Sequence, residues 1–120
     1  MQMIYGLLRQ KHTGEERMVE AKVYSASYCP WCDKAVEFLK KFEDLDVWIV
    51  DVTENQERRE YLIEKTGQKT VPQIWIGDTY IGGHDAMLKM ASTKELDLTI
   101  LKENNRLLKE EVLRLRRSLC

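Results

Sequence analysis

The sequence predicts an α/β domain, with helices packed on the faces of a central sheet, followed by one long amphipathic helix. Three observations carry this reading. Short β-rich runs alternate with helix-period segments from about residue 20, a Gly77-Asp78 turn joins two further β runs, and leucines recur at sevens after residue 97.

The elements follow in order. "AKVYS" is the first strand, and "CPWCDKAVEFLKKF" then sets Ala35, Val36, Leu39 and Phe42 on one helical face. "VWIVDV" is a second strand, dense in β-branched and aromatic residues. "TENQERREYLIEKTG" opens on Thr53 as N-cap and closes on Gly67 as C′ residue. "PQIWIGDTYIGG" is a hairpin with "QIWI" and "TYI" as arms, and another helix begins near His84. A helical crossover makes the first two strands parallel, whereas the hairpin makes the last two antiparallel. Residues 1–18 are an N-terminal extension, in which Ile4, Leu7 and Leu8 either pack as a helical turn or belong to a loose segment.

Composition narrows the class. A chain of 120 residues makes one compact domain with little left over. A net charge of -1 gives no case for nucleic acid or a membrane surface as partner. No apolar run is long enough to span a bilayer. Glu15 and Glu16 near the start are wrong for a signal or transit peptide, so the expected location is cytoplasmic. Stable structural disulfides are uncommon there, and three cysteines cannot close a paired framework.

The chemistry concentrates in "SASYCPWCDKA". A CxxC pair can begin a zinc site, a structural disulfide or a working redox pair. Zinc needs a second couple at ligand spacing, and His12, His84 and Cys120 are scattered, so no metal is expected. Two inert buried thiols fit the composition but not the strand-before, helix-after setting. Pro30 suits the first helical position, which leaves Cys29 near the N-cap, where free N–H groups and the helix dipole favour a thiolate. Cys32, one turn on, is placed to resolve a mixed disulfide. The redox reading is the one these residues favour.

"VYSASYCPWC", "TGQKTVPQIWIGDTYIGG" and "GGHDAM" together resemble the glutaredoxins over residues 19–97. The resemblance implies the thioredoxin fold, a mixed four-stranded sheet flanked by helices. It implies glutathione as reductant and co-substrate, with disulfide-containing or glutathionylated proteins as partners. Cys29 and Cys32 would be the catalytic dithiol, and a cis Val71-Pro72 bond would set Pro72 beside Cys29. The glutathione groove would be lined by Tyr28, Trp31, Lys69, Thr70, Val71, Pro72, Gly83, His84 and Asp85. There the Val71 backbone would pair with the tripeptide, and the Gly82-Gly83 turn with the N–H groups of His84 and Asp85 would hold its γ-glutamyl carboxylate. Asp85 would face the ammonium, and Lys69, with Arg58, the glycyl carboxylate.

Two positions depart from the family pattern. Ala26 stands where the family usually has lysine, which implies a less depressed Cys29 pKa or weaker glutathione binding. Trp31 replaces the usual tyrosine, and His84 reads as a plain helix-start residue. The alternative within the family is a glutathione-ligated iron–sulfur dimer, or a redox adaptor of low activity; Pro30 argues against the cluster.

Residues 98–120 form a separate unit. Leu98, Asn105, Val112 and Leu119 fit heptad position a, and Leu101, Leu108 and Leu115 fit position d, resembling a leucine zipper. Lys102, Lys109 and Arg116 occupy e, while Asp97, Asn104 and Glu111 occupy g. These charges favour parallel over antiparallel pairing, and the d-position leucines with Asn105 at an a position favour a homodimer through 98–119 over a helix folded only on its own domain. Cys120 is an idle terminal thiol or an intersubunit link.

Overall fold

A computed structural model describes residues 19–119; the extension assigned to residues 1–18 and Cys120 lie outside the described residues. The elements are β1 (Val19–Ser25), α1 (Pro30–Leu39), β2 (Leu45–Asp51), α2 (Gln56–Thr66), β3 (Gln73–Ile76), β4 (Thr79–Gly82), α3 (His84–Ser92) and α4 (Glu95–Leu119). The strands form one mixed sheet in the order β2-β1-β3-β4. β1 pairs parallel with β2 and antiparallel with β3, and β3 pairs antiparallel with β4. This is the α/β, thioredoxin-fold arrangement expected from the sequence.

Period-two patterning assigns the faces of the sheet. Val19, Ala21 and Val23 of β1 are fully buried, while the intervening Glu20 and Lys22 are exposed. The inward set packs with Ala35 and Leu39 of α1, Ile74 and Ile76 of β3, Met87 of α3, and Leu96 and Ile100 of α4. Along α1, Cys32, Ala35, Val36 and Leu39 are the buried residues, the spacing of one helical stripe. On the outward side, Tyr61 of α2 meets Tyr24 of β1 with ring centroids 6.5 Å apart.

The structure shifts three boundaries. α1 ends at Leu39, so Phe42 completes the core stripe from the following turn and stacks edge-on with Phe38. α2 is capped by Asn55, whose side chain accepts from the Arg58 N–H, and not by Thr53. Thr53 is occupied elsewhere: its N–H and hydroxyl both donate to Asp51. The last helix starts at Glu95, because Lys94 turns the chain through a left-handed conformation (φ 68°) between α3 and α4. Gly67 closes α2 at φ 75°, as its position predicts.

α4 is about 37 Å long by its 25 residues. Leu96, Ile100 and Glu103 on one face are buried against the domain, and Leu107 also packs there. Glu103 is the latch: its carboxylate accepts from the Asp78 N–H (3.2 Å) and the Thr79 hydroxyl (2.9 Å) at the hairpin turn. Arg106 bridges Glu103 (3.0 Å) and Asp78 (3.4 Å). Gly77 has φ 57°, and a Cβ there would strike the Glu103 carboxylate. No helix among the described residues is long and apolar enough to cross a membrane.

Candidate active site

The end of β1 and the start of α1 bring the two thiols together. Cys29 is the N-cap of α1, with extended backbone (φ -112°, ψ 100°), and Pro30 follows at the first helical position. Its Sγ takes the place of a capping oxygen and accepts the Cys32 N–H at 3.2 Å. A sulfur so placed shares the Cys32 N–H with the Cys29 carbonyl, which lies 3.2 Å from the same nitrogen, and meets the positive end of the helix dipole.

Burial separates the two thiols. Cys29 is 8% exposed and Cys32 is fully buried. Burial, followed by its hydrogen bond to Cys29, pushes the Cys32 thiol up to about 11. Cys29 thus meets the solvent edge, while Cys32 waits behind it in protonated form.

A second chain segment closes on the pair. The Val71-Pro72 peptide bond is cis, and the Val71 carbonyl lies 3.7 Å from the Cys29 Sγ, positioned to accept from the thiol. Ala26, Cys29, Cys32 and Val71 pack as one small apolar cluster. Gln73, 1% exposed, organises this segment: its amide donates to the Gln68 and Thr70 carbonyls (2.8 and 3.0 Å) and accepts from the Thr66 hydroxyl (2.9 Å). On the opposite side, the Ser27 N–H donates to the Thr53 hydroxyl at 2.8 Å, tying the thiol loop to the turn after β2.

The third wall is the start of α3. Gly83 is its N-cap, without a side-chain cap, so the first N–H groups of the helix have no capping oxygen. An added Cβ at Gly83 would lie 3.6 Å from the Pro72 carbonyl, which puts this turn against the cis-proline segment. The His84 ring packs on Trp31 at 5.2 Å between centroids, and Lys34 lies 4.7 Å over the Trp31 ring. The arrangement thus offers a capped sulfur, a carbonyl beside it for strand-like pairing, and a free helix N-terminus for an anion.

Comparison with known proteins agrees with this geometry. The glutaredoxin family model matches residues 21–81. The chain belongs to the glutaredoxin family. It is 35% identical over 75 residues to a glutaredoxin of Pseudomonas aeruginosa, covering 62% of this chain and 88% of that protein. It is 36% identical over 86 residues to glutaredoxin-1 of Saccharomyces cerevisiae, covering 65% and 76%. Among solved structures, the Brucella melitensis glutaredoxin superposes with a TM-score of 0.61 at 29% identity, covering 72% of this chain and 94% of that one. As a glutaredoxin, the protein is a thiol–disulfide oxidoreductase.

The expected site residues of this glutaredoxin fall into two groups. Cys29, Cys32, Val71 and Pro72 converge, and Trp31, Gly83 and His84 flank them. Tyr28, Lys69, Thr70 and Asp85 are exposed around them. Two neighbouring arginines of α2 take different partners. Arg58, expected at the glycyl carboxylate, donates to the Asp51 carbonyl at 2.7 Å. Arg59 instead donates to the Tyr28 hydroxyl at 2.7 Å and to the Val52 carbonyl at 2.9 Å, which brings its guanidinium beside the thiol loop. Arg59, Thr53 and Gln73 are the positioning residues that sequence reasoning missed. Only Gln73 left a signal, as a polar residue heading an apolar strand.

Proposed function

We infer that the protein is a cytoplasmic, glutathione-dependent glutaredoxin that reduces protein disulfides and glutathione-mixed disulfides through Cys29 and Cys32. The observation that carries this is the Cys29 sulfur, which caps α1, accepts the Cys32 N–H and faces the Val71 carbonyl.

The Cys29 thiolate attacks a sulfur of the substrate disulfide; that S–S bond breaks, and the leaving thiolate takes up a proton. If the attacked sulfur is glutathione's, a second glutathione attacks the Cys29 mixed disulfide, releasing oxidised glutathione and restoring Cys29. For a protein disulfide, Cys32 loses its proton and attacks the Cys29 sulfur. The substrate then leaves reduced, and two glutathione molecules reduce the Cys29–Cys32 disulfide.

In this reading, glutathione pairs with the Val71 backbone, and its γ-glutamyl carboxylate meets the N–H groups at the start of α3, with Gly83, His84 and Asp85 around it. Tyr28, Trp31, Lys69, Thr70 and Pro72 form the remaining walls. Arg59 takes the glycyl carboxylate in place of Arg58, compensating for the lysine that Ala26 replaces. Two copies associate through α4.

The test is glutathione-coupled turnover of a small mixed disulfide and of a protein disulfide. Cys29→Ser is expected to abolish both, and Cys32→Ser to lose only protein-disulfide reduction. Activity that survives loss of Cys29 would overturn the mechanism. A purified protein with visible charge-transfer bands would favour the iron–sulfur alternative.

A further inference from the structure

α4 carries two faces, and its own domain covers one. Leu96, Ile100, Glu103 and Leu107 face inward. Leu98, Leu101, Leu108, Val112 and Leu115 are each between 42% and 54% exposed, and Asn105 is exposed among them. At 3.6 residues per turn the two stripes lie about 140° apart on the helix. A second copy seated on the outer stripe therefore meets mainly helix, and the redox domain borders that stripe along one edge only.

The edge of the outer stripe nearest the domain opens into a cleft of about 280 Å³. It is lined by Phe42, Glu43, Asp44, Asp97, Leu101 and Asn104, so Leu101 belongs to both the cleft and the stripe. The Asn104 Oδ1 is buried and has no hydrogen-bond partner. Asp97 and Asn104 are the g positions of their heptads, and a parallel partner sets its Lys102 and Lys109 opposite them. An antiparallel partner would oppose the basic e positions Lys102, Lys109 and Arg116 to one another. The third g residue, Glu111, already pairs with Arg114 on its own helix, which leaves Asp97 and the cleft as the main charge determinant.

Resting on the reading that two copies associate through α4, we propose that they pair in parallel and that the redox domain itself joins the interface. The cleft between the α1–β2 turn and α4 receives Lys102 of the second copy between Asp97 and Asp44, and the Asn104 Oδ1 accepts from the second copy's Lys109. The zipper is then not an independent appendage: its N-terminal heptad is completed by Glu43 and Asp44 of the domain.

Sedimentation equilibrium of the full chain, with Cys29, Cys32 and Cys120 replaced by serine, tests this in separable steps. The wild-type surface is expected to give a dimer; a monomer at high micromolar concentration would end the association reading and this proposal with it. Val112→Cys is expected to form a disulfide-linked dimer with itself, as an a position does only in parallel pairing; a dimer that does not cross-link would overturn the orientation. Lys102→Glu is expected to weaken the dimer about tenfold, since each charge pair occurs twice. Asp97→Lys added to it should restore most of that loss. Asp44→Lys should weaken the wild-type surface but strengthen the Lys102→Glu protein. If the effects of Asp44→Lys and Lys102→Glu simply multiply, the domain has no part in the interface and the cleft assignment fails.

Discussion

At the scale of single residues, the active site separates two chemically identical side chains by one helical turn. Cys29 is a cap at the rim, and Cys32 is buried, with its pKa pushed up to about 11. Iodoacetamide at neutral pH should therefore modify Cys29 well ahead of Cys32, which is alkylated only after unfolding; peptide mass spectrometry that found equal rates at these two thiols would contradict this. The sign also bears on stability. A thiol whose folded pKa lies above its ordinary 9.0 favours the fold below that value, and the contribution is lost as pH rises through 9 to about 11. Arg59 gives a second residue-level expectation. Arg59→Ala should raise the KM for glutathione severalfold, whereas Arg58→Ala, whose guanidinium is engaged at Asp51, should change it little. Equal effects in steady-state kinetics would show that the Tyr28 contact does not position a binding group.

At the scale of elements, short segments are held by side chains that replace missing backbone partners. Gln73 ties the chain ahead of the cis-proline to the start of β3, and Thr53 links the thiol loop to Asp51. Neither role is visible in a propensity or a period, because both depend on which loops the sheet brings side by side. The junction between α3 and α4 shows the opposite case, a local cost. Lys94 adopts φ 68° at a position where a glycine would be unstrained. Lys94→Gly should therefore stabilise the protein by about 1 kcal/mol. A urea midpoint that fell instead would mean that the Lys94 side chain contributes more than its backbone costs.

At the scale of the molecule, the buried Glu103 carboxylate latches the terminal helix to the hairpin turn. Burial alone would raise the pKa of Glu103, but hydrogen bonds from Thr79, the Asp78 N–H and Arg106 outweigh it, and the carboxyl lies below its ordinary 4.5. With the folded pKa depressed, the stabilisation is complete above 4.5 and is lost as pH falls through the lower folded value. Glu103→Gln should cost about 2 kcal/mol at neutral pH, the worth of a hydrogen-bonded buried charge, and flatten the stability profile over that acid window. Denaturation curves from neutral pH to below 4 would check it; an unchanged acid limb would assign the transition to other carboxylates. Asp51 is likewise held below its ordinary value by the Thr53 hydroxyl and N–H, and its protonation would loosen the thiol loop that Thr53 holds.

The sequence by itself determined what repeats over a few residues: the strand runs, the Gly77-Asp78 hairpin, the proline-started helix behind Cys29 and the heptads of α4. Such patterns are legible because their partners lie within one or two turns of chain. The tertiary structure decided what joins distant segments. The Val71 carbonyl reaches Cys29 across 42 residues of chain, a contact that follows from the family resemblance but not from any local pattern. Asn55, not Thr53, caps α2, and it is Arg59 of this helix that reaches the Tyr28 hydroxyl of the thiol loop. Glu103 reads in the sequence as a solvated helix charge, and it is buried only because the hairpin turn presents an N–H and a hydroxyl to it. α4 likewise carries two stripes of similar spacing, and periodicity cannot tell which of them the domain covers. Packing against Leu39, Ile76 and Met87 takes the stripe that begins at Leu96 and leaves the zipper stripe facing outward.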